Sequence, residues 1–197
     1  LIHHERAAMA DTLATLTASQ WAQPSLCGGW SVRVTAGHIV TGAEQTTRRF
    51  LTRMVANGFR FNTMMDVDAK RMGALAPDEI IARLRARVTT TNRPPAPVRT
   101  MLGEIVVHGD DIRRPLGLVG AVSPDVVIAC LEMYKGAGFP MGTKKRIDGL
   151  RLVATDVAWS HGAGREVSGP GLAMVMAMTG RIAGRDELTG EGLATPR

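Results

Sequence analysis

Glu104 and His108 stand four residues apart in the run Gly103-Glu104-Ile105-Val106-Val107-His108. On a helix that spacing puts both side chains on one face, about 5–6 Å apart at Cβ. Leu102, Ile105, Val106 and Val107 bracket the glutamate, and a carboxylate is almost never fully buried without a partner. A carboxylate and an imidazole on such a face want something polar between them, and a divalent cation would serve both. His38 is the second histidine set mid-helix among apolar neighbours, and it could supply a third ligand from a facing helix, as bundle cores do. Two histidines and one carboxylate leave a tetrahedral position open, the catalytic rather than the structural zinc arrangement. The same set also fits a non-haem Fe(II) facial triad, so ligand type alone does not choose the metal. The plain alternative, a Glu–His pair hydrogen-bonded to each other and facing solvent, stays open on this pattern alone. Of the other histidines, His3 and His4 read as surface at a frayed helix start, and His161 reads as structural.

These residues need helices to position them, and the first two thirds of the chain supply helical patterning. Met9, Leu13 and Leu16 recur at i, i+4, i+7 in a first helix over residues 2–16. Pro24, Gly28 and Gly29 mark a loop. Ser31 then caps a second helix running to Asn57-Gly58. It carries His38 on one face with Val34, Thr41 and Gln45. Residues 58–76 read as irregular, with a short helix around Asp66 to Met72. Pro77-Asp78-Glu79 opens a third long helix with the stripe Ile80, Ile81, Leu84, Val88, ended by Pro94, Pro95 and Pro97. A fourth spans 98–113, and a fifth, Val126 to Tyr134, follows Ser123-Pro124-Asp125. The texture then changes. Leu150 to Ser160 is rich in β-formers, Gly162-Ala163-Gly164 reads as a hairpin loop, and Glu166-Val167-Ser168 as the return strand. A Met-rich helix over 171–179 ends at Gly180, and 188–193 is a candidate last strand. The fold class expected is mostly α: a helical bundle over residues 1–138 and a small α+β segment over 139–197.

The composition narrows the function. The chain has 197 residues, 45% of them hydrophobic and 21% charged, enough to bury a core without disulfides. Its two cysteines, Cys27 and Cys130, form no disulfide framework and read as buried, inert thiols in a reduced compartment. No apolar run reaches the ~18–20 residues of a membrane helix, and no export signal opens the sequence, so a cytoplasmic location is expected. The net charge of +6 comes from 20 arginines and 4 lysines against 18 acids, with the excess in residues 1–116. One Tyr and four Phe are too few for base-stacking platforms, so nucleic-acid binding is not expected. A small anionic substrate accounts for the mild positive field equally well.

Two blocks carry a resemblance. The run Trp21-Ala22-Gln23-Pro24-Ser25-Leu26-Cys27-Gly28-Gly29-Trp30-Ser31-Val32-Arg33, followed by Gly37-His38-Ile39-Val40, resembles the signature of the mycothiol-dependent maleylpyruvate isomerase family of the DinB/YfiT-like superfamily. Glu104-Ile105-Val106-Val107-His108-Gly109-Asp110-Asp111-Ile112-Arg113-Arg114-Pro115-Leu116-Gly117 is similar to the family's second block. The resemblance implies a DinB-like four-helix bundle with zinc held by His38, Glu104 and His108. It implies mycothiol, a low-molecular-weight thiol of actinobacteria, as cosubstrate. The arginine-over-lysine bias agrees with such a source.

The chemistry so implied is that of a zinc-bound thiolate attacking a small electrophilic substrate. If the sulfur leaves again after bond rotation, the enzyme is an isomerase; if it stays, an S-transferase. An anionic substrate would want an arginine fork. Thr179-Gly180-Arg181 resembles the family's ending of a C-terminal helix, making Arg181 the candidate carboxylate binder. A solvated arginine at a helix end is the alternative. Asp111, at i+3 from His108, could orient the imidazole or cap the helix end. Arg48, Arg49 and Arg53 read as a solvated stripe, and Trp30 as a staple packing its loop onto the second helix. The C-terminal segment, about 60 residues, reads as shorter than the isomerase's second domain, which puts turnover of maleylpyruvate itself in question. Two other functions are carried forward: a metal-dependent hydrolase without thiol, and a non-catalytic DinB-like binding or regulatory module. A homodimer through exposed helices is also entertained.

Overall fold

The computed structural model describes residues 1–118, 120, 122–138 and 141–194. It divides into two compact units, Leu1–Gly120 and Ala121–Arg197. The chain is mostly α, as expected.

In the first unit, α1 (Ile2–Ala14) packs on α6 (Pro77–Arg85) and α7 (Arg99–Arg113), and α3 (Val32–Glu44) packs on the same two helices. These four close a ring around a core that includes Met9, Leu13, Val32, Val40, Ile80, Leu84 and Val106, all fully buried. Each such side chain contributes about 1.5–3 kcal/mol of gross hydrophobic stabilisation. Pro77 sits in the first turn of α6 beside Asp78 and Glu79, the arrangement its missing N–H and the helix dipole favour.

Three elements depart from the sequence reading. First, the second helix is two: α3 ends at Glu44, and α4 covers Thr47–Ala56. Gln45 is extended (ψ 129°), and the Thr46 side chain accepts from Arg49 N as a new N-cap. A threonine hydroxyl competing for backbone donors is what breaks the helix. Second, the stretch read as irregular holds a full helix, α5 (Phe61–Gly73). It docks on α3 through glycine: a Cβ on Gly37 would lie 2.5 Å from Gly73 N and 2.8 Å from Ala69 O. Small residues at the contact let the two backbones touch, and they leave no apolar stripe to read. Third, a short α2 (Ala18–Ala22) precedes the motif loop, held by a capping box between Thr17 and Gln20.

In the second unit α8 (Pro124–Lys135) and α9 (Thr143–Ile147) pack on α10 (Gly171–Met178). The sequence reading groups the fifth helix with the bundle and divides the chain after 138; the compact units divide at Gly120, because α8 packs against α10. Ala173, Met174, Val175, Met176 and Met178 are all buried, so α10 is the core helix of this unit. The strands β1 (Leu150–Ala154), β2 (Ser160–His161) and β3 (Arg165–Gly169) form a sheet of order β2-β1-β3. The hairpin expected around 162–164 does not form. β2 pairs antiparallel with β1, and β3 pairs parallel with β1, Leu152 opposite Val167. The link between β2 and β3 crosses the start of β1: a Cβ on Gly162 would lie 2.2 Å from Leu150 O, and one on Gly164 2.2 Å from Gly149 O. The candidate last strand contributes only a bridge, Ser168 to Thr189, before a 3-10 turn at Glu191–Ala194. Among the described residues no helix is long and apolar enough to cross a membrane.

Candidate metal centre

The first unit brings His38, Glu104 and His108 together. Each offers a ligand atom, and the three atoms lie within 4.8 Å of one another. His38 comes from the middle of α3 and is 4% exposed; Glu104 and His108 come from one face of α7. His38 Nε2 lies 2.9 Å from Glu104 Oε1. The imidazole rings of His38 and His108 meet edge to face at 4.6 Å. Donors around a tetrahedral zinc stand about 3.4 Å apart, so the cluster is within reach of side-chain adjustment.

Electrostatics prepare the same donors. Burial pushes the Glu104 carboxyl up, but the His38 hydrogen bond and the charges of His38, His108 and Arg6 outweigh it, and the group is held below its ordinary value. Burial and the neighbouring His38 hold His108 below the ordinary imidazole value, against the pull of Asp111. An ionised carboxylate beside a neutral imidazole is the protonation state that metal binding demands. His38 Nδ1 is buried with no hydrogen-bond partner. Leaving a polar atom so costs about 1–3 kcal/mol, and such an orphan asks for a partner the chain does not supply. The residues therefore fit a divalent metal.

Around this cluster the motif residues find their uses. Asp111 is fully buried, and its Oδ2 lies 2.9 Å from His108 Nδ1. Of its two readings, its position beside His108 supports the orienting role, and its burial rules out a solvated side chain. Trp30 packs its ring 5.1 Å from that of His38 and donates from Nε1 to Asp66 Oδ1 at 2.9 Å. It thus staples its loop to both α3 and α5. Ser25 Oγ bridges to Thr35 at 2.8 Å, and Leu26 N donates to the Asp111 carbonyl at 3.0 Å. That last bond seats the loop on α7 and sets Cys27 within 4.8 Å of His108 and Asp111. Cys27 is half-buried rather than buried, whereas Cys130 is buried as expected. Arg33 Nε donates to the Leu75 carbonyl at 3.0 Å, tying the end of α5 to α3.

The arginine stripe is not simply solvated. Arg49 pairs with Glu44 at 3.3 Å, and Arg53 pairs through two nitrogens with the buried Asp68. Arg181 belongs to the second unit, at the N-cap of α11 (Ile182–Arg185), where Nη1 donates to the Thr179 carbonyl at 3.2 Å. Arg6 does not stand out in the sequence reading, yet it is 4% exposed and sits beside this cluster. A signal for it exists: Arg6, Met9, Ala10 and Leu13 fall at i, i+3, i+4, i+7, so the arginine shares the core face of α1.

Residues 2–96 match the family model described as the mycothiol maleylpyruvate isomerase N-terminal domain. That span includes His38 and ends before Glu104 and His108. No curated protein matches the chain. Two solved structures of the mycothiol-dependent maleylpyruvate isomerase resemble it in fold, each at 16% identity and covering 98% of this chain and 91% of theirs. The TM-score is 0.63 for a histidine-to-alanine mutant and 0.60 for the enzyme without it. The likeness runs over nearly the whole of both chains.

Proposed function

With residues 2–96 a member of the mycothiol maleylpyruvate isomerase N-terminal domain family, we propose that the protein is a thiol-dependent metalloenzyme. Its cosubstrate is mycothiol, its reaction isomerisation or S-transfer on a small electrophilic, anionic substrate, and its metal is zinc. The observation that carries the reading is the convergence of His38, Glu104 and His108 from two facing helices. A divalent zinc ion there supplies a Lewis acid that lowers the pKa of a thiol and makes thiolate available at neutral pH.

This chain's own residues do the rest. Glu104 contributes a negative charge held ionised by His38, His108 and Arg6. His108 presents Nε2, because a carboxylate only accepts hydrogen bonds and the Asp111 contact fixes the proton on Nδ1. Trp30 covers the His38 ring and limits its freedom. Sulfur is the nucleophile. It adds to one carbon of a polarised double bond; after rotation about the resulting single bond it leaves again in an isomerase, or stays in a transferase. Arg181 is the C-terminal residue assigned to a substrate carboxylate.

The test is metal content per chain of protein purified without added metal or histidine tag, beside a His108→Ala variant, followed by thiol-dependent turnover. Near one zinc per chain, lost in the variant, with turnover that requires the thiol, is expected. Iron in its place would move the chemistry to oxygen activation. No metal in either protein, with no uptake on zinc titration, would overturn the reading in favour of a binding module.

A further inference from the structure

In the first unit, α4 is an amphipathic helix turned the wrong way round. None of its ten residues is buried. Arg49 and Arg53 turn toward the protein, where Arg49 pairs with Glu44 at 3.3 Å and Arg53 pairs with the buried Asp68. Phe50 and Met54 are half-buried, and the Phe50 ring lies 6.4 Å from that of Phe61 on α5. The outward side is made by Arg48, Leu51 and Val55, spaced i, i+3, i+7. Both of its apolar residues are more than half exposed. An ordinary surface helix does the opposite, with apolar residues in and charges out.

The loop after α4 extends the apolar surface. Phe59 is 72% exposed, and its φ of 60° lies in the left-handed region that a bulky side chain rarely adopts. Its N–H donates to the Met54 carbonyl at 2.8 Å, which seats the residue on the last turn of α4. Phe61 follows and is also exposed. Apolar residues scattered singly over a surface are ordinary, but Leu51, Val55, Phe59 and Phe61 crowd one short helix and its loop. Backbone strain of the kind held at Phe59 concentrates where a ligand or partner is met.

Charge and area decide what covers this patch. Residues 45–65 include four arginines and no acidic residue. Arg49 and Arg53 are neutralised within the fold, whereas Arg48 and Arg60 have no ion pair among the described residues. A second copy seated on this face would set these two cations against the same two cations. Four side chains also supply only roughly half of the ~800 Å² per partner that a standard protein interface buries. An anionic lipid surface needs no matching groove. It takes leucine and phenylalanine below the headgroups and attracts the arginines to the phosphates.

We propose that α4 and residues 57–61 are a peripheral docking surface for an anionic lipid bilayer. The helix lies in the headgroup plane, with Leu51, Val55, Phe59 and Phe61 turned toward the acyl chains and Arg48 and Arg60 at lipid phosphates. This docking draws on neither the metal centre nor the thiol reading above.

The test is cosedimentation of the full chain with vesicles of equal parts phosphatidylcholine and phosphatidylglycerol, beside vesicles of phosphatidylcholine alone. Binding to the anionic vesicles is expected at low salt, with little to the neutral ones. It should weaken toward ~1 M salt, where the Debye length falls to about 3 Å. In the double variant Leu51→Ser, Val55→Ser the replaced side chains bury nothing, so the urea midpoint should stay near wild type while vesicle affinity falls about tenfold or more. The double variant Arg48→Gln, Arg60→Gln should lose roughly fivefold per arginine on the anionic vesicles. No cosedimentation at low salt overturns the proposal, as does equal binding to neutral vesicles or binding that both variants leave unchanged. A wild type that is dimeric by light scattering, and monomeric once Leu51 and Val55 are replaced, assigns the face to a second copy and overturns it too.

Discussion

Replacing Asp111 by asparagine tests how much of the metal affinity lies outside the ligands. The side chain is fully buried, and its oxygen stands 2.9 Å from His108 Nδ1. Asparagine keeps the shape, so the change removes a charge and leaves the fold. A hydrogen bond to a charged group is worth ~1.5–3 kcal/mol and a neutral one ~0.5–1.5, so the loss is about 1–2 kcal/mol. Solvent screening reduces this little, since Asp111 has no exposure and His108 is 15% exposed. At 1.4 kcal/mol per tenfold, zinc should bind roughly 5–30-fold more weakly, in line with the 10–100-fold typical of residues that orient a metal ligand. Asparagine adds a second penalty, since its amide can donate to Nδ1 and trap the tautomer that aims a proton at the metal. The assay is competition for zinc against a chromophoric chelator at neutral pH, with urea unfolding of the metal-free proteins as the control for fold. Zinc affinity within twofold of wild type would show that His108 needs no orienting partner, and would leave Asp111 without a part in metal binding.

Three further outcomes follow from the same geometry. Gly37→Ala sets a methyl 2.5 Å from Gly73 N and 2.8 Å from Ala69 O; overpacking costs ~1–3 kcal/mol, and because the obstacles are backbone it should outweigh the ~1 kcal/mol helix gain over glycine, so a variant with a urea midpoint at or above wild type refutes it. His108 titrates below its ordinary value, so between that value and about 6.5 the unfolded chain binds more protons; the metal-free protein should keep its full stability above about pH 6.5 and lose it as the pH falls through that window, a loss seen in urea midpoints and missing in His108→Gln. On the role proposed for Arg181, Arg181→Met removes a charge-assisted fork worth ~1.5–3 kcal/mol and should raise KM for an anionic substrate about ten- to a hundredfold with kcat less affected, whereas steady-state kinetics showing unchanged KM would refute that role.

The metal-ligand candidates are legible in the sequence because polar residues inside apolar helical runs are conspicuous. Glu104 and His108 stand out against Leu102, Ile105, Val106 and Val107, and His38 against Ile39 and Val40. What pattern does not carry is close approach. α5 buries Met64, Asp68, Ala69, Met72 and Gly73, and a face on which Asp68, Ala69 and Gly73 interrupt two methionines shows only a weak hydrophobic period, while its fit depends on Gly37 in another helix. The break at Gln45–Thr46 escapes notice because one threonine cap is a weak local signal inside a long run of helix formers. Parallel pairing of β3 with β1 escapes it because two glycines between β-rich stretches read as a hairpin loop, whereas here they serve a backbone crossing.

The residues behind the ligands are hidden for a different reason. Asp111 and Arg6 both lie near the ends of their helices, where charge is ordinarily solvated, so position argues for the surface. The i+3 spacing of Asp111 from His108 and the place of Arg6 on the core face of α1 are weak signals, and they gain weight only once α1 and α7 are packed against each other. One face of α7 then carries most of the candidate cluster. Glu104, His108 and Asp111 fall at i, i+4 and i+7 on it, two of the proposed metal ligands and the carboxylate 2.9 Å from the second of them. α1 answers from across the core, placing the Arg6 guanidinium where the charge of Glu104 is felt. Neither helix could bury its charged residues alone. Packed together, each brings charge to the other, and a cluster that would be a defect in either helix becomes the candidate metal centre.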